Sequence, residues 1–170
     1  MIPSRVDAVA MRLATTSVRR LREATRFDVW RATGIARVAT NLSLAMACLH
    51  LTRFDGFHYV LLGCVLFGWA LGVAGSGWHA LADVERTAAP GSAGDRSAAY
   101  AAAMGSRGRD PDRRRRDALV ALCFLSVGTG VGLAVGSGLY LWLAAYGAAR
   151  FVRCYVGSVR LPPPVSPGTA

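Results

Sequence analysis

Few side chains here could carry chemistry, and they are scattered. Cys48, Cys64, Cys123 and Cys154 each fall in a different apolar segment, with no C-x-x-C or other zinc spacing. Thiols in apolar surroundings are inert rather than nucleophilic, so these read as small hydrophobic residues within helices. His50, His58, His79 and Asn41 are the polar groups inside otherwise apolar runs. Ionisable groups within a membrane are costly and tend to mark function, but three of these four lie near segment ends, where a polar ring sits in the interface. Cys48, His50 and His58 could meet around a turn and hold a metal, yet three such ligands from one short turn make a weak case. The sequence contains no nucleophile elbow, phosphate loop, dinucleotide fingerprint or H-E-x-x-H motif. It therefore predicts no enzyme, no catalytic residue, no cofactor and no metal.

The charged residues point to a surface instead. All 20 basic residues are arginine, and the net charge is +10 on 170 residues that are 53% apolar. A chain of this length forms one domain, and apolar runs this long exceed what so small a soluble core could bury. Most arginines flank the apolar runs, which makes anionic lipid headgroups the expected partner. Nucleic acid is not expected, because the aromatic residues that stack on single strands are not interleaved with the basic ones.

The elements that would position these arginines follow from periodicity. Residues 1–33 form a basic amphipathic segment: Ile2, Val6, Val9 and Leu13 recur at helical spacing, with arginines on other faces. Such a helix lies in the headgroup plane, with Arg12, Arg19, Arg22 and Arg26 meeting lipid. Its Arg-rich, acid-poor start also overlaps with a mitochondrial transit peptide. Residues 34–81 read as a first membrane hairpin, two apolar runs turning at Arg53-Phe54-Asp55-Gly56, where Asp55 and Gly56 are the turn signal. Residues 82–117 are a polar linker in which 97–104 favour a short helix, closing in Arg113, Arg114, Arg115 and Arg116 as a juxtamembrane stop and headgroup contact. Residues 118–157 are a second membrane hairpin, and 158–170 a disordered Pro-rich tail.

The second hairpin rests on counting. The uncharged run 118–149 is longer than the ~20 residues one crossing needs and shorter than two full helices with an ordinary loop. If it crosses once, the arginines divide 16 to 4 between the two sides; if it turns at Gly136-Ser137-Gly138 they divide 19 to 1, with Arg53 alone. The cleaner split follows the rule that basic loops stay on one side, so the turn falls at Ser137. Phe57, Tyr59, Tyr140 and Trp142 would then form one interfacial belt, and Trp30, Trp78 and Tyr155 the other. Gly68, Gly72 and Ser76 in the first hairpin, and Gly128, Gly132 and Gly136 in the second, recur every four residues and present small faces for helix packing. The expected fold is all-α and integral to a membrane: two antiparallel helical hairpins, four membrane segments and the N-terminal helix.

This layout resembles the reticulon family of membrane-shaping proteins, and Phe27-Asp28-Val29-Trp30-Arg31 followed by Thr33-Gly34 is similar to the signature that opens reticulon domains. The resemblance covers about residues 27–157. It implies hairpins that wedge one leaflet and self-associate to curve tubular endoplasmic reticulum. The function expected is non-enzymatic: shaping or scaffolding a membrane through inserted hairpins and glycine-mediated helix association, with a second copy or another membrane protein as partner. The alternative is a small four-helix transporter, channel or accessory subunit of a membrane complex. The location is an integral membrane, endoplasmic reticulum if reticulon-like and otherwise a mitochondrial or bacterial inner membrane.

Overall fold

A computed structural model describes residues 2–26, 29–52, 57–75 and 110–159, without the side chains of 29, 30, 33, 50–52 and 75. These residues form five α-helices and no strand: α1 (Ser4–Ala24), α2 (Val29–Thr52), α3 (Phe57–Gly75), α4 (Pro111–Val135) and α5 (Gly138–Val156). Two stretches, Phe57–Ala74 and Pro111–Val135, are long and apolar enough to cross a membrane, and Gly34–Leu49 is a shorter apolar stretch. Asp55, Gly56, Ser76, His79, the expected helix over 97–104 and the Pro-rich tail beyond 159 lie outside the described residues.

Helix ends follow local chemistry. α4 starts ahead of the arginine run rather than after it, because Asp110 caps the helix by accepting from the Asp112 amide at 2.9 Å and Pro111 needs no amide partner. The four arginines are thus the first turns of a helix, not the end of a linker. α4 stops at Gly136, whose φ of 67° places it in the left-handed region, and α5 begins immediately after Ser137. Gly136 therefore turns the chain instead of packing helices; nothing lies within 4 Å of a Cβ built on it. α1 closes on Thr25, whose hydroxyl donates to Leu21 O at 2.8 Å, and Arg26 then takes a φ of 51°.

Glycines bring the helices together at backbone distance. A Cβ on Gly128 would sit 2.7 Å from Tyr140 O and 2.9 Å from Ala144 Cα, and one on Gly147 would sit 2.7 Å from Ala121 O. The pairing of 121 with 147 and 128 with 144 makes α4 and α5 antiparallel. Gly68 meets the Ala149 backbone, with Ala149 Cα 2.8 Å from its added Cβ, and Gly72 meets Val156, so α3 packs on the other side of α5. α2 packs against α3, with Gly63 against Ser43 and Met46. The order across the molecule is α2, α3, α5, α4, with α1 against the end of α5. Gly68, Gly72, Gly128 and Gly132 occupy helix contacts, and Gly63 and Gly147, which lie off the spacing of four, do so too.

Gly128→Leu and Gly147→Leu are expected to force α4 and α5 apart and to destabilise the detergent-solubilised protein by about 3 kcal/mol or more. Gly130→Leu, with open space around its Cβ, should leave the melting temperature unchanged. Gly136→Ala should cost about 1 kcal/mol through its left-handed backbone alone. Thermal unfolding followed by circular dichroism ranks the four.

Candidate functional site

The polar centre of the molecule is a carboxylate that periodicity places on the inner face of α1. Asp7, Met11, Ala14, Val18, Leu21 and Thr25 follow one another at spacings of four and three, a second stripe distinct from Ile2, Val6, Val9 and Leu13. This second stripe is the one that docks: Ala14, Val18 and Leu21 join Val73, Ala118, Tyr155, Val156 and Val159 in a common core, with Met11 packed against it. Val6, Val9 and Leu13 face outward, while Ile2 is buried. α1 also reaches α3, where Trp69 Nε1 donates to Ser17 Oγ at 2.7 Å. Asp7 and Ser17 lie about 15 Å apart along the helix, so α1 crosses the bundle from α4 and α5 to α3.

Asp7 is 4% exposed, and three side chains from two helices satisfy it. Arg114 donates through Nη2 at 2.9 Å and Nε at 3.4 Å, Arg115 through Nε at 3.2 Å, and the Tyr155 hydroxyl at 3.0 Å. Arg114 also lies 5.9 Å from the centre of the Tyr155 ring, and Cys154 Sγ donates to Arg114 O. Burial alone would raise the Asp7 carboxyl. The hydrogen bonds from Arg114, Tyr155 and Arg115 outweigh it and hold the group below its ordinary value of 3.8. One turn further along α4, Asp117 pairs with Arg150 of α5 at 3.8 Å. The two charges that bound the uncharged run in sequence thus face each other across the antiparallel pair.

This arrangement corrects several assignments made from sequence. Arg114 and Arg115 turn inward to Asp7, and Arg22 is buried, so these three are withdrawn from headgroup contact. Arg12, Arg19, Arg26, Arg113 and Arg116 stay exposed. Tyr155 is 2% exposed and bound to Asp7 rather than standing in an interfacial belt. Ser137 sits at the α4–α5 turn. Asn41 is exposed, His58 is exposed with its ring centre 4.0 Å from that of Tyr59 and tilted by 43°, and no two of the four cysteines are joined in a disulfide. Among the described residues no three His, Cys, Asp or Glu side chains gather to hold a metal. The Asp7 cluster bridges three helices, α1 through Asp7, α4 through Arg114 and Arg115, and α5 through Tyr155. No family model, curated protein or solved structure matches the chain.

Asp7→Asn is expected to loosen α1 by about 2 kcal/mol, since it leaves two guanidinium groups without their shared counter-charge. Because the Asp7 carboxyl is lowered, its contribution is complete above about pH 4 and fades as the pH falls through the lowered value. Tryptic cleavage after the exposed Arg12 and Arg19 reads the first effect, faster in Asp7→Asn at neutral pH; pepsin, active in acid, reads the second, its cleavage of α1 in the native chain approaching that in Asp7→Asn as the pH falls below 4.

Proposed function

We propose that this chain is a multi-pass membrane protein that scaffolds or shapes a bilayer without catalysis, with α2 and α3 as one membrane hairpin and α4 and α5 as the other. The observation that carries this reading is the inverted distribution of side-chain size. Ala118, Ala121, Ala144, Ala145 and Ala148 are buried beside the glycines, while Leu139, Leu133, Val38, Val135 and Leu49 are 64 to 76% exposed. In water each of those large residues would forgo about 1.5–3 kcal/mol of burial. In lipid the outward position costs nothing, and helices associate through small residues that let backbones approach.

Charge and length support the same reading. Arg113 to Arg116 begin α4, Arg150 and Arg153 sit toward the end of α5, and the turn at Gly136-Ser137 carries no charge. That distribution keeps arginines on one side of a bilayer. α5, at 19 residues, is about 28 Å long and α4, at 25, about 37 Å, against a hydrocarbon core of about 30 Å. These lengths favour segments that reach the opposite interface over hairpins that wedge a single leaflet. Shaping, in this reading, comes from the unequal ends of the bundle: α1 and the arginines lie at one end and a bare turn at the other. The partner is a bilayer with anionic headgroups, and the layout of two hairpins resembles that of the reticulon family. The glycine faces hold the chain's own helices together, so contacts to a second copy or another membrane protein fall to the outward faces.

Topology labelling tests this. With the four native cysteines replaced by alanine, Ser137→Cys in sealed vesicles should react with a membrane-impermeant maleimide only from the side opposite the N-terminus. Reaction from the N-terminal side would return the design to a one-leaflet wedge, and reaction from both sides would remove the membrane reading. Purified protein should tubulate or shrink vesicles; unchanged vesicles that gain solute flux would favour the transporter or channel alternative.

A further inference from the structure

We propose that the outward face of α1 is a docking surface for an anionic bilayer, held at a fixed rotation by the Asp7 cluster. The inference rests on the membrane reading above and deepens it. At 3.6 residues per turn Val6, Val9 and Leu13 share one strip, and Arg5, Arg12 and Arg19 follow the strip beside it. The three apolar residues are 46, 57 and 67% exposed, and the three arginines are exposed as well. Arg20 closes the far end of the apolar strip, and the one exposed acid of the helix, Glu23, lies beyond Arg19 near its C-terminus.

The helix has no freedom to hide this face. Asp7 is bound from two helices, Ser17 is bound to Trp69, Ala14 is buried between those anchors, and Val18 and Leu21 are buried just beyond Ser17. Rotation that covered Val9 and Leu13 would expose the carboxylate and break its three donors. The same anchors set the depth. Arg114 lies less than two turns before Ala118, where α4 becomes uncharged, so α1 rests at the level where charged side chains give way to apolar ones. That is the headgroup boundary, where an amphipathic helix buries its apolar strip shallowly and lifts its arginines to the phosphates.

Charge complementarity selects the occupant. A second copy approaching through this face would set arginine against arginine. A nucleic acid would neutralise the arginines but leave the aliphatic strip in water, with no aromatic ring to stack on. An anionic bilayer surface satisfies both strips at once.

The test uses the full chain with the photo-crosslinking residue p-benzoylphenylalanine at Val9 or Leu13, and at Leu133 on the outward face of α4 as reference. The protein is reconstituted in phosphatidylcholine vesicles with or without phosphatidylglycerol, and adducts are identified by mass spectrometry. Lipid adducts at Val9 and Leu13 are expected to be several-fold more abundant with phosphatidylglycerol, to fall back in Arg12→Gln/Arg19→Gln, and to be equal in both vesicles at Leu133. Adducts at Val9 and Leu13 to protein, or none, with lipid adducts at Leu133, would overturn the docking surface and leave the membrane reading standing. No lipid adduct at Leu133 either would overturn both. Yields at Val9 and Leu13 indifferent to phosphatidylglycerol would overturn the anionic assignment.

Discussion

Everything else in the molecule depends on how closely α5 is approached from its two sides. Where Gly128 meets Ala144, Gly147 meets Ala121 and Gly68 meets Ala149, no side chain separates one backbone from the next. A glycine within a helix costs about 1 kcal/mol in water. The contacts it permits are dispersion contacts along the whole length of two helices, small individually and large in sum. They also fix register, because a backbone seated in a gap left by a missing Cβ cannot slide by a residue without collision. α5 is therefore a keel on which α3 and α4 are set at defined heights.

The buried charges inherit that register. Arg114 begins α4 and Tyr155 ends α5, yet both reach Asp7, which is possible because the antiparallel pairing brings the start of one helix to the end of the other. The Asp117–Arg150 pair reports the same alignment one turn further in. A lone carboxylate 4% exposed would be strongly unfavourable, and a single partner rarely compensates for its lost hydration. Three donors from two helices do so, and they convert a nonspecific apolar contact of α1 into one orientation.

Much of this was legible in the sequence, and the residues that escaped did so for definite reasons. The break at Gly136 follows from arginine counting and glycine chemistry, and Gly68, Gly72, Gly128 and Gly132 from their spacing. Gly136 shares that spacing but is assigned to turning by its left-handed φ, which spacing does not reveal. Gly147 stands outside any repeat, so the partner that makes it a contact residue, Ala121 on another helix, is visible in three dimensions alone. In α1 the larger side chains Val6, Val9 and Leu13 draw attention to the outward face, while the stripe that packs on the bundle contains an aspartate and an alanine. Its regular spacing of four and three from Asp7 to Thr25 was the available signal. The arginine run reads as four equal charges in sequence, and the helix that carries it turns Arg114 and Arg115 inward and leaves Arg113 and Arg116 outside, as a period of 3.6 must when one carboxylate waits on one side.

The consequence is a bundle whose two ends are unlike. At one end lie α1, the Asp7 cluster, the Asp117–Arg150 pair and the exposed Arg113, Arg116 and Arg153. At the other, Leu133, Val135, Leu139 and Tyr140 surround a turn of glycine and serine. An inserted body of this kind would occupy more area in the leaflet that holds α1 than in the other. In the proposed reading that asymmetry would need no assembly of copies to act on a bilayer, because a rigidly held amphipathic helix would add its cross-section to one side. The fastening at Asp7 would then matter for more than stability: a helix free to rotate or detach could follow the membrane, whereas one bolted to the bundle obliges the membrane to follow it.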